Sequence, residues 1–161
     1  MDQLLIRTIQ PADNAQLAII IRQALAEFGA NRPGTVYFDD TTDRLFELFQ
    51  KKDSIYFVAT NQDLILGGAG IYPLEGPSVK TCELVKMYLS PLSRGSGLGK
   101  RLLTQCLNYA KGAGYQQVYI ETMPELTIAI RMYAQNGFRF LESPLGSTGH
   151  VGCEVWMLKD L

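Results

Sequence analysis

Seven consecutive residues, Arg94, Gly95, Ser96, Gly97, Leu98, Gly99 and Lys100, combine the types and spacing needed to hold an anion. Three glycines in five positions open backbone conformations closed to other residues and leave no β-carbon to block a ligand. Several N–H groups can therefore converge on one phosphate. An amphipathic helix begins inside the run, over about residues 97–111, and adds its unpaired N-terminal donors and the positive end of its dipole. Arg94 and Lys100 are expected to bring mobile positive charge to either end. Spacing separates this loop from two better-known ones. A nucleotide P-loop needs a glycine five residues before the Gly-Lys pair and Ser or Thr after it, where this chain has Arg94 and Arg101. A Rossmann fingerprint begun at Gly95 fails at Lys100, which stands where its last glycine is required.

The pattern that the run does meet is Arg-x-x-Gly-x-Gly, through Arg94, Gly97 and Gly99. It resembles the pyrophosphate-binding motif of the GNAT acetyltransferases, whose ligand is acetyl-coenzyme A. Residues 81–91, Thr-Cys-Glu-Leu-Val-Lys-Met-Tyr-Leu-Ser-Pro, look like that family's central strand. Residues 129–138 look like its final helix, ending in Tyr133, three residues, then Gly137 and Phe138. The segments stand in the family's order, and the resemblance covers nearly the whole chain. One departure is Leu126, where GNAT proteins often carry an Asn seven residues before the tyrosine. The polar contact of that Asn to the cofactor then falls to Thr127 or to backbone.

The resemblance implies a site. Acetyl-coenzyme A would lay its pyrophosphate on residues 94–100 and its pantetheine between splayed fourth and fifth strands, pairing with the edges at Met87, Tyr88 and Leu89 and at residues 119–121. A backbone N–H near Met87 or Leu89 would hold the thioester carbonyl. Aminolysis of a thioester needs a base for the ammonium, and Glu83 precedes Arg94 by eleven residues, the separation at which histone-type members place a glutamate base. Its neighbours Leu84, Val85 and Met87 would raise a carboxyl pKa. The structural alternative is a glutamate paired with Lys86 or Lys80. Tyr133 matches the tyrosine that many members aim at the coenzyme sulfur, and a phenol can donate a hydrogen bond there uncharged; otherwise it packs beside Met132 and Phe138. Glu121 could bind a cationic amine or act as base instead, and His150 could line the cleft. Arg32 and Tyr37 stand in the long loop that the family tends to use for acceptor recognition.

The reading is thus an N-acetyltransferase working by direct transfer in a ternary complex. A catalytically silent acyl-coenzyme A binding module and a different acyl donor such as succinyl-coenzyme A remain as alternatives. The acceptor is a small-molecule or peptide amine, which the sequence does not choose.

Composition agrees. The 161 residues, 47% of them hydrophobic, suit one domain spanning 1–161 with a substantial core. A formal net charge of −1 gives no footprint for nucleic acid. Apolar runs such as residues 17–21 are too short to cross a bilayer, and the N-terminal segment lacks the order of a signal peptide, so a cytoplasmic protein, with a homodimer possible, is expected. Cys82, Cys106 and Cys153 form no C-x-x-C pair and lie among apolar neighbours, which reads as core and gives no metal site.

The elements that must position these residues follow from periodicity. Residues 4–8 read as a strand, and the spacing of Leu17, Ile20, Ile21, Ala24, Leu25 and Phe28 marks a helix closed by Gly29. A helix over 42–51, a hairpin of 55–60 and 64–72, a strand over 117–121, a helix over 125–136 and a closing pair at 138–142 and 153–158 complete the order. The fold class is α/β, a GNAT-like mixed and mostly antiparallel sheet flanked by helices, with splayed central strands.

Overall fold

The computed structural model describes residues 3–146, 148 and 151–161. Seven strands, β1 (Leu4–Thr8), β2 (Ile55–Asn61), β3 (Leu64–Leu74), β4 (Thr81–Leu89), β5 (Gln117–Thr122), β6 (Arg139–Leu141) and β7 (Val155–Asp160), form one sheet. Its order is β1-β2-β3-β4-β5-β7-β6, antiparallel throughout except for β4 beside β5. Four helices cover it: α1 (Asn14–Glu27), α2 (Leu45–Leu48), α3 (Leu98–Gly112) and α4 (Thr127–Gln135).

Each face buries its own cluster. The α1 and α2 face packs Leu17, Ile21, Leu25, Leu45 and Phe49 on Tyr56 and Val58 of β2. On the opposite face, Leu98, Leu102, Leu103 and Cys106 of α3 and Tyr133 of α4 meet Cys82, Leu84, Val118, Ile120 and Met157. Alternation along β4 and β5 produces this division, since residues two apart on a strand share a face.

The helix expected over 42–51 is one turn, Leu45–Leu48, preceded by tight 3-10 turns. Side chains divert the backbone there. Asp39 accepts from the Thr41 N–H at 3.0 Å, the buried Thr42 hydroxyl donates to the Val36 carbonyl at 2.8 Å, and Arg44 leaves helical geometry at φ −135°. The last helix also starts later than expected, at Thr127.

Two irregularities shape the site. Against β3, residues Gly68 and Gly70 stand opposite Tyr88 and Val85, so β4 carries one extra residue, a bulge at which Lys86 has φ 50°. A β-carbon at Gly70 would stand 2.7 Å from the rings of Phe49 and Tyr56, which explains the glycine opposite the bulge. The second is a parting of the sheet. β4 pairs with β5 only from Thr81 to Glu83 against Gln117 to Tyr119, while β5 continues along β7 to Thr122. Beyond those three pairs no ladder joins β4 to β5.

Candidate active site

The parting opens a cleft of about 410 Å³ lined by Leu84 and Met87 of β4, Ile120 and Glu121 of β5, and Thr127, Met132 and Tyr133 of α4. At its mouth lie Arg94, Gly95, Gly97, Gly99 and Lys100, with Phe28, the residue that ends α1, against Arg94. Gly95 and Gly97 take φ 77° and 81°, and a β-carbon at either would meet nothing within 4 Å. These glycines therefore serve backbone conformation and leave open space before the first N–H groups of α3, a place where helix geometry can hold an anion. The parted strand edges, the open loop and the largely apolar cleft suit a ligand with a phosphate end and an amide-rich arm, as acetyl-coenzyme A has.

Within the loop, three expectations are refined. Arg94 is not mobile: its Nε and Nη2 donate to the Leu89 carbonyl at 3.2 and 3.1 Å, its Nη1 to Glu27 at 2.6 Å, and its guanidinium lies over Phe28. It ties α1 to the loop, and its charge is met by Glu27. Exposed Lys100 makes no ion pair among the described residues and is the cation available to phosphate. Ser96 turns its hydroxyl to the Ser93 carbonyl, and the Leu98 side chain is buried, so both can serve a ligand only through backbone. Met87, Tyr88, Leu89, Leu126 and Thr127 all line the cleft. The strands are still paired at Tyr119, so the free edge of β5 begins at Ile120 rather than at Tyr119.

Tyr133 packs its ring 5.8 Å from Phe138 and lines the cleft, and its hydroxyl has no hydrogen-bond partner among the described residues. Burial pushes its pKa well above the ordinary phenol value, so it is a neutral donor. Glu83 sits across the sheet, on the α1 face, at 7% exposure. Neither lysine pairs with it: Lys80 bonds Asp53 and Lys86 bonds Asp39, each at 3.2 Å. Burial first, and the Glu121 charge second, push Glu83 up to about 8, with Lys86 opposing. Register accounts for this proximity, because Glu83 stands opposite Tyr119, and Glu121 follows two residues later on the same face.

Glu121 is fixed from both sides. It accepts from the Tyr119 hydroxyl at 2.7 Å and from the Thr148 hydroxyl, while the Leu145 N–H donates to Tyr119 at 3.1 Å. Tyr119 could have been found from its place two residues before Glu121 on a strand. Lys86 and Thr148 carried no such signal. Tyr37 does not line the cleft; its ring meets that of Phe38 at a tilt, with centroids 5.0 Å apart, and its carbonyl accepts from Arg22. Arg32 is bridged to Glu125 at 2.6 Å. His150 lies outside the described residues. All three cysteines are buried, and burial holds Cys82 and Cys153 near 12, so neither is a thiolate nucleophile. Among the described residues no helix is long and apolar enough to cross a membrane, and no group of three His, Cys, Asp or Glu could hold a metal.

Residues 21–138 match the model of the acetyltransferase (GNAT) family. The uncharacterized N-acetyltransferase YjgM of Escherichia coli is 38% identical over 156 residues, covering 96% of this chain and 93% of that protein. An acetyltransferase of the GNAT family from Staphylococcus aureus shares the fold with a TM-score of 0.86 at 18% identity, over 98% of each chain. So does yncA of Salmonella typhimurium, solved with its cofactor acetyl-CoA, with a TM-score of 0.74 at 19% identity over 98% of this chain and 94% of that one. Loop, parted strands and family match agree: the chain belongs to the GNAT family of acetyltransferases.

Proposed function

We propose that Glu83 and Tyr133 carry the proton transfers as this N-acetyltransferase passes acetyl from acetyl-CoA to an amine by direct attack in a ternary complex. The observation that supports this reading is their placement: Glu83, on the α1 face, is the last residue of β4 paired with β5, and Tyr133 of α4 lines the cleft that opens beyond that pair. The loop amides of residues 95–98 and Lys100 hold the pyrophosphate, and the strand edges orient the pantetheine. The acceptor enters from the α1 face as an ammonium. Glu83 removes a proton, leaving the nitrogen lone pair to attack the thioester carbon. A β4 backbone N–H near Met87 or Leu89 supports the oxyanion, and Tyr133 donates to the sulfur as the C–S bond breaks.

Glu121 binds the cationic amine and sets the field that keeps Glu83 a base matched to an alkylammonium. Thiol release measured across a panel of amines tests the reading in wild type and in Glu83→Gln. Coenzyme binding without thiol release on any amine would make the protein a silent binder. Full activity in Glu83→Gln would transfer the base role to Glu121.

A further inference from the structure

Lys86 is a buried cation in the middle of the central strand, in a backbone conformation that side chains rarely adopt. Glu83 and Lys86 are three residues apart, so regular alternation would turn them to opposite faces. The bulge undoes this. The Lys86 ammonium reaches Asp39, in the loop that covers the α1 face, at 3.2 Å, and it lies near enough to Glu83 to oppose that carboxyl's retention of a proton. The Tyr56 hydroxyl, donating to the Lys86 carbonyl at 2.7 Å, fixes the bulge from below.

The Lys86 side chain is 3% exposed, yet of its three N–H donors only one finds a partner among the described residues, and the residue lines the cleft. The arginines of α1 and of the loop after it are occupied: Arg22 is bidentate to Asp43, and Arg32 is bridged to Glu125 and Glu154. Glu83 accepts no hydrogen bond among the described residues. An ammonium with spare donors and a carboxyl with spare acceptors, close enough to feel each other's charge and both buried, thus share the α1 face of β4, where the acceptor is proposed to enter. We propose that Lys86 selects an acceptor carrying a carboxylate close to its amine, an amino acid or a similar zwitterion, whose amine meets Glu83. The inference rests on acetyl transfer with Glu83 facing the amine.

The test compares kcat/KM for free amino acids, their amides and the matching decarboxylated amines. Wild type should favour the acids over the amides by about 30-fold or more, since the amide offers no anion to the Lys86 donors that Asp39 leaves spare. In Lys86→Met that ratio should fall to within about threefold, chiefly through a raised KM for the acids, while Lys86→Arg keeps most of it. A thermal shift with acetyl-CoA confirms that each variant is folded. Amides used as well as acids by wild type, or a preference surviving in Lys86→Met, would overturn the proposal while leaving acetyl transfer intact. If no amine of any kind is acetylated, the catalytic reading itself fails, and this one with it. Should Lys86→Met not fold, Asp39→Asn releases Lys86 from its partner and should sharpen the preference for acids; an unchanged ratio counts against the proposal.

Discussion

Glu83 keeps its proton at a pH where most carboxyls have lost it, and the cause is burial beside a second carboxylate. In the proposed role of base it serves only when ionised, so kcat/KM for the amine should rise with pH through a midpoint near 8. The same burial weakens the fold on the alkaline side. The folded state holds the proton up to about 8, while the unfolded chain releases it near the ordinary value of 4.5, so stability falls as pH rises between them. Glu83→Gln removes that penalty: melting temperature should match or exceed wild type, by more at pH 9 than at pH 5, while turnover falls about 100-fold or more. Tyr133→Phe separates function from packing differently. The ring remains, so melting should barely change, and turnover should drop roughly 10- to 1000-fold because the lost bond strengthens as charge develops on sulfur. Unchanged turnover with a lower melting temperature would make Tyr133 a packing residue.

At the scale of elements, the phosphate loop works through backbone geometry. Gly97→Asp sets a carboxylate in the open space before α3, the proposed seat of pyrophosphate, and should abolish the thermal shift given by acetyl-CoA; a retained shift would place the phosphates elsewhere. This loop was legible in the sequence because its glycine spacing is a backbone requirement, and α1 and α3 because their apolar periodicity is sustained. The turns before Leu45 were not, since they depend on Asp39 and Thr42 bonding to particular backbone groups. Nor was the bulge, which stands opposite glycines whose missing β-carbons make room for the rings of Phe49 and Tyr56, and which turns Lys86 to a face that alternation denies it. Glu83 and Tyr133 could be named from spacing. That Lys80 and Lys86 both decline to pair with Glu83 could not, because Asp53 and Asp39 reach them from far along the chain. Arg94, read as mobile, is held by Glu27, sixty-seven residues earlier.

For the whole molecule, acetyl-CoA at 100 times its dissociation constant should add about 2.7 kcal/mol of stability. In a domain of this length that raises the melting temperature by roughly 5 to 11 degrees. An unshifted melting curve at saturating acetyl-CoA would contradict the donor assignment for this chain. The gain should not be spread evenly. Only three residue pairs, Thr81 to Glu83 with Gln117 to Tyr119, stitch the β1-to-β4 half of the sheet to the β5-β7-β6 half. Without cofactor, that seam lets the two halves open on different timescales, and amide hydrogen exchange should show β5, β6, β7 and α4 exchanging as a unit apart from β2 and β3. A bound pantetheine arm is then a splice. It should bring both halves to a common exchange rate, so that the chain becomes one cooperative body only while it carries the group it is about to give away.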